Sequence, residues 1–375
     1  MISSTSSSSR RGILGAAALA VALLASCGHR QRGGPAPLKL AVFPVQNASG
    51  GAAPIKALTE ALDGALDVRG LDVVPRQALD LVLANHRMRF TGGVDRAMAK
   101  VLREELAVDA VLIPTLELHG ADAPPKISLA ARLVSTGDRP TVLWADAVTR
   151  AGDDAPGLLS TGLVTKSAEL EKTVISRLAR SVERYVRTRE HGDPCEGDGR
   201  FEPRRKFRAP VLDDVGRRTV AVLPFTNDTS RRSAGDVVLG QFVTQLVRSG
   251  SFEVLDPGVV REELLAHRIV LQDGVSVDNA IVMLKLLDAD LVLSGYVQVY
   301  EARSGSQGAP KVEFTAYMLD RQTEQLVWSS TSSAAGDARV FFFGAGMVHT
   351  ASGLSCRMVR EVVADVVDDR PRFVE

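Results

Sequence analysis

The stretch Thr219-Val220-Ala221-Val222-Leu223-Pro224-Phe225-Thr226-Asn227-Asp228 decides the fold, because a degenerate copy of it, Leu40-Ala41-Val42-Phe43-Pro44-Val45-Gln46-Asn47, stands early in the same chain. Each reads as a short buried strand of β-branched and apolar residues stopped by a proline, which has no N–H to give to a ladder. The two copies stay in phase far beyond the strand. His86-Arg87 recurs as His267-Arg268, and Asp109 with Val111-Leu112 as Asp290 with Val292-Leu293. Trp144 recurs as Trp328, Gly152 as Gly336, Gly162 as Gly346 and Leu170 as Leu354. The spacing lengthens mainly where Gly120 to Lys126 faces Glu301 to Lys311, a loop, which is where insertions are tolerated. A repeat this long predicts tandem duplication of one domain, not a solenoid.

Within the second copy, Leu239, Phe242, Val243 and Leu246 have helical spacing, and Ser249-Gly250 stops that helix before the short strand Phe252–Leu255, whose counterpart is Leu71–Val74. Two further helices follow, the first opened by Pro257 or Pro75 and ending at His267-Arg268 or His86-Arg87. Val312, Phe314, Ala316 and Met318 alternate with Glu313, Thr315 and Tyr317, the period of a half-buried strand, in the middle of a three-strand meander that ends with Trp328. A helix from Gly346 to about Val367, or Gly162 to Arg187, closes each copy. The order β-α-β-α-α-β-β-β-α predicts an α/β chain of α+β type, two tandem copies of a small mixed-sheet domain.

At 375 residues the chain is long enough for two domains with cores of their own. Lys and Arg number 45 against 45 Asp and Glu, so no general charge excess favours nucleic acid, and no nucleic-acid partner is expected. Three cysteines imply neither a disulfide framework nor a cysteine metal site. The amino terminus is polar, then Arg10-Arg11, then the short apolar run Gly12–Leu24, then Leu24-Ala25-Ser26-Cys27, the layout of an export signal.

Leu24-Ala25-Ser26-Cys27 resembles the bacterial lipobox, which implies cleavage before Cys27, lipidation of Cys27, and a protein tethered without a transmembrane helix. Gly28 in place of an aspartate favours the outer membrane, on its periplasmic face. The expected divisions are 1–26 signal peptide, 27–37 tether, 38–187 first domain, 188–217 linker of limited order carrying the basic cluster Arg204-Arg205-Lys206, and 218–375 second domain.

Val220 to Tyr300, with its Ala-Val-Leu-Pro-Phe strand, Ser-Phe-Glu-Val-Leu strand and Ala-Asp-Leu-Val-Leu-Ser-Gly, resembles the small α/β domain of bacterial envelope lipoproteins of the TolB-amino-terminal, CsgG and LpoB kind. The resemblance covers most of both copies and specifies fold better than activity. It implies a non-enzymatic scaffold or binding module in envelope assembly, such as activation of a peptidoglycan synthase. The alternative is a ring-forming subunit of a secretion or polysaccharide-export system, which leaves a homo-oligomer open. The short polar loop Glu301–Pro310 argues against the long membrane hairpins of a CsgG pore.

No residue set reads as a coherent catalytic centre, and no cofactor or metal is implied. An enzyme alternative would be a hydrolase using His267 with Asp290. Each histidine, however, precedes an arginine at a predicted helix end, where a cation suits the carbonyl terminus. Asp109 and Asp290 suit strand starts, although Asp288-Ala289-Asp290 has the look of a metal pair. Gly344-Ala345-Gly346 lacks a Walker lysine, and Ser355 lacks the second glycine of a nucleophile elbow. Cys195 and Cys356 either bond to each other or remain free thiols. Phe341-Phe342-Phe343 is the most unusual apolar cluster, without a counterpart in the first copy, and is the candidate interface.

Overall fold

The computed structural model describes residues 1, 36–154, 162–193, 195, 201–213, 216–269, 275–304, 308–338 and 346–367. The architecture below is that of the unit spanning residues 37–375.

The first half runs β1 (Leu40–Val42), β2 (Gln46–Asn47), α1 (Ile55–Asp67), α2 (Arg76–Asn85), α3 (Arg96–Leu106), β3 (Ala110–Gly120), β4 (Lys126–Ser135), β5 (Val142–Ala151) and α4 (Ser167–Thr188). After β6 (Arg205–Arg208) the second half runs β7 (Arg218–Val222), β8 (Thr226–Asn227), α5 (Ala234–Ser249), β9 (Phe252–Val254), α6 (Pro257–Ala266), α7 (Val277–Leu286), β10 (Leu291–Ser304), β11 (Ala309–Asp320), β12 (Leu326–Ala335) and α8 (Ala351–Val367). The fold is mixed α/β of the expected α+β type, with a sheet in each half. The first has the order β1-β3-β4-β5 and the second β6-β12-β11-β10-β7-β9.

The opening stretches do what their residues dictate, in matching register. Leu40, Ala41 and Val42 pair in parallel with Ala110, Val111 and Leu112; Val220, Ala221 and Val222 pair with Leu291, Val292 and Leu293. Pro44 and Pro224 interrupt the ladders without ending them, since Gln46-Asn47 and Thr226-Asn227 rejoin the same neighbours, β3 and β10. The asparagines then fold the chain back. Asn47 Oδ1 accepts from the Ser49 amide and hydroxyl, and Asn227 Oδ1 from those of Thr229. β3, β4 and β5 form an antiparallel meander, as do β10, β11 and β12.

Three expectations need correction. The strand expected at Leu71–Val74 shrinks to a single bridge between Leu40 and Val73, although its partner β9 is a true strand on β7. The closing helices begin several residues after Gly162 and Gly346, at Ser167 and Ala351. The supposed linker is partly structured. Arg205-Lys206-Phe207-Arg208 adds an antiparallel edge strand to β12, and Pro210–Asp213 forms a 3-10 turn. Lys206 Nζ lies 2.8 Å from Asp365 Oδ1 of α8, and Arg208 Nε donates to the Val366 carbonyl, so the cationic side chains fasten the strand to the helix.

What separates the halves is the company their helices keep. α1 and α4 bury one face: Leu58, Leu62 and Leu66, with Leu170, Val174, Leu178 and Val182, pack on Leu112, Leu116, Leu129, Leu133 and Trp144 of the first sheet. α5 and α8 are buried on almost every side, the mark of a helix between two packed surfaces. Phe242, Val243 and Leu246 of α5 and Leu354 and Met358 of α8 share one core with Val222, Phe314 and Trp328 of their own sheet. That core also contains Ala41, Val111, Ile113, Val142 and Ala145 of the first sheet. A separate small core, Val259, Val260, Met283 and Leu284 against Ala221 and Val292, seats α6 and α7.

Candidate functional site

A cleft of about 450 Å3 opens where the two halves meet. Its floor is the side of the first sheet turned away from α1 and α4, with Ile113, Thr115 and Glu117 of β3 and Ala130 and Arg132 of β4. Its walls are Ser233, Asp236, Val237 and Gly240 at the start of α5, then Pro257, Val260, Arg261 and Leu264 of α6, with Phe90 and Gly92 closing one side. Apolar surface with a few placed polar groups is the usual make-up of a ligand site.

A buried ion pair holds the walls in place. Asp256, fully buried, accepts from the Gly258 amide (2.7 Å) as cap of α6, from the Val94 amide (2.8 Å) of the other half, and from Arg132 Nε (2.8 Å). Arg132 Nη2 also donates to the Gly92 carbonyl at 2.6 Å. The backbones cross so closely that a Cβ on Gly258 would lie 2.4 Å from Val94 N, and one on Gly93 2.7 Å from Gly258 Cα, so both positions require glycine. Arg96 Nη1 reaches Glu262 (3.1 Å) and Glu263 (2.6 Å), and Thr141 bridges to Leu255.

Beside the cleft lies a second buried network. Glu117, 2% exposed, accepts from Ser128 Oγ at 2.7 Å, and Ser128 also meets Thr149 Oγ1. Arg231 of the second half donates to the backbone carbonyls of Ala48 and Glu117 and stacks 4.6 Å over the Tyr300 ring; Tyr300 Oη meets Ser352 Oγ at 3.1 Å. Burial pushes the Glu117 carboxyl up to about 7, against the opposing pulls of Ser128, Arg231 and Gln241. Asp236 reaches solvent at the mouth, yet the walls strip enough water to raise its carboxyl above the ordinary range.

The residues singled out from sequence lie elsewhere. His86 and His267 cap the ends of α2 and α6, His86 Nε2 2.5 Å from Glu105 and His267 Nδ1 3.1 Å from the Glu263 carbonyl. Asp109 and Asp290 accept the Lys39 and Thr219 amides, each at 2.8 Å, as strand-start groups, so His267 and Asp290 serve different partners and form no dyad. Asp288 pairs with Arg321. Ser355 is buried inside α8, donating to the Ser352 carbonyl. Cys195 and Cys356 form a disulfide with Cα atoms 5.6 Å apart, joining the inter-half segment to α8. Gly344-Ala345, Cys27 and the candidate interface Phe341, Phe342 and Phe343 lie outside the described residues. Among the described residues, Asp153, Asp154 and His349 bring donor atoms within 4.8 Å of one another, a grouping across the halves that no sequence spacing announces. No helix among them is long and apolar enough to cross a membrane.

With this geometry established, comparison with known proteins is informative for one region. Residues 207–333 match the family of the peptidoglycan-synthase activator LpoB. The LpoB-like region begins within β6, at its last two residues, and ends within β12, so it spans most of the second half but stops short of α8. No protein of curated function matches the chain in sequence. Among solved structures, the PelC dodecamer from Paraburkholderia phytofirmans aligns at 19% identity over 43% of this chain and 94% of its own, with a TM-score of 0.31. Lipoprotein GNA1162 from Neisseria meningitidis aligns at 21% over 39% and 99%, with a TM-score of 0.29. The LpoB C-terminal domain from Escherichia coli aligns at 15% over 34% and 95%, with a TM-score of 0.24.

Proposed function

We propose that this chain is a non-enzymatic envelope lipoprotein whose LpoB-like second half binds and activates a peptidoglycan synthase. The observation that carries the reading is the family match over residues 207–333. Two independent features agree with it. Cys27 follows a lipobox-like Leu-Ala-Ser, which supplies an outer-membrane anchor on the periplasmic face. The Cys195–Cys356 disulfide belongs to an oxidising compartment, as the periplasm is. In this reading the two domains are a tandem duplication. The first, its sheet covered on one side by α1 and α4 and on the other by α5, braces the second, and Phe341, Phe342 and Phe343 contribute to the partner contact.

Affinity capture of the carboxyl-terminally tagged protein from its own envelope, followed by mass spectrometry and native sizing, tests the proposal. A cell-wall synthase recovered in stoichiometric amount is the expected result. A large homomeric assembly with export components, or hydrolase activity abolished by His267→Ala, would replace it.

A further inference from the structure

We infer that the cleft between the halves binds an organic cation, an aliphatic chain ending in an ammonium group, with Asp236 at the mouth and Glu117 at the floor receiving the charge. This does not depend on the synthase reading.

The argument is one of shape and of charges left over. A cleft of about 450 Å3 has room for an aliphatic chain of several carbons, and Ile113, Ala130, Val237, Val260 and Leu264 give it apolar walls. The cations around it are already engaged. Arg132 serves Asp256 and the Gly92 carbonyl, Arg261 stacks 4.0 Å over the Phe90 ring, and Arg231 is turned to backbone carbonyls and the Tyr300 ring. Among the described residues no cation offsets the desolvation of Asp236, and Glu117, despite the pulls of Ser128 and Arg231, stays costly to ionise in its buried place. Two carboxylates on an apolar cleft whose surroundings disfavour their charge gain most from a ligand that brings a positive donor. An anion would meet both carboxylates, and a neutral chain would leave both uncompensated.

Glu117 gives the site a pH signature. The groups facing it are Ser128 of β4, itself bonded to Thr149 of β5, Gln241 of α5, Tyr300 of β10 and Arg231; of these only Arg231 is charged at neutral pH. Ionisation of Glu117 near pH 7 therefore adds a negative charge to the cleft floor, and cation binding strengthens as pH rises through that value.

The test is titration calorimetry of the mature protein in nanodiscs, with empty nanodiscs subtracted, using hexylammonium, hexanol and hexanoate as probes. Hexylammonium should bind about tenfold more tightly than hexanol, the size of one charge-assisted hydrogen bond, with hexanoate weakest. Asp236→Asn should remove most of that advantage, leaving only the part Glu117 supplies, while hexanol binding stays unchanged, showing that the cleft is intact. Glu117→Gln should flatten the rise in hexylammonium affinity around pH 7. A capped Leu-Lys-Leu peptide separates two sources of the same chemistry: tighter binding than hexylammonium assigns a lysine of a polypeptide, weaker binding a free amphiphile. Hexanoate or hexanol binding as well as hexylammonium, or an Asp236→Asn variant that keeps the full ammonium preference, would overturn the inference.

Discussion

Replacing Glu117 with glutamine should make the protein more stable above neutral pH and leave it nearly unchanged in mild acid. The carboxyl has an ordinary value of 4.5 and is raised to about 7 in the folded chain by burial. A group raised in this way binds its proton more tightly folded than unfolded. Its contribution is fully present below pH 4.5 and is lost as pH rises towards 7, because the unfolded chain is then ionised and folding must take up a proton. The difference of 2.5 pH units corresponds to roughly 3 kcal/mol, at about 1.4 kcal/mol per unit. Over the accessible range from pH 5 to 8.5, about 2.5 kcal/mol of it should be visible. Glutamine keeps the size and the contact with Ser128 but never ionises. Urea denaturation of both proteins across that range should give stability curves that diverge with rising pH, the variant ending higher. Parallel curves would refute the claim that Glu117 is buried with a raised pKa at the seam.

Other substitutions probe the same seam. Arg132→Met strands the fully buried Asp256 carboxylate and should cost about 3–5 kcal/mol in denaturant titration, while Arg132→Met with Asp256→Asn should recover part of the loss; equal losses would deny the pairing. Gly258→Ala places a Cβ 2.4 Å from Val94 N and should lower stability by about 1–3 kcal/mol, with faster proteolysis between the halves; a wild-type melting curve would contradict the close crossing. Opening the Cys195–Cys356 bond by Cys356→Ser should cost about 2–4 kcal/mol in a thermal melt, and native unreduced protein should show no reactive thiol at either position.

Much of the fold was legible because its signals are local. Pro44 and Pro224, the alternation of Val312 to Met318 and the paired tryptophans located strands and phased the two halves. The helix-end places of His86 and His267 and the strand-start places of Asp109 and Asp290 were also legible. What escaped was non-local. Arg205–Arg208 has a linker's composition, and only the exposed edge of β12 makes it a strand. Val238, Val247, Gln241 and Gln245, buried around α5 outside the expected face, were the available sign that this helix is covered on two sides. Glu117 had none. At the matching place on β10, Gln298 is exposed, and Glu117 is buried because the second half lies over the first sheet. The cleft likewise exists only between halves, so neither copy read alone contains it.

The central claim concerns the partner, and reconstitution tests it most directly. The purified mature protein should be titrated into a peptidoglycan synthase from the same envelope while the rate of glycan-strand polymerisation is followed from lipid-linked substrate. Saturable binding with a matching rise in polymerisation rate is the predicted result. Absence of both binding and stimulation, with the disulfide intact and the protein folded, would contradict the account.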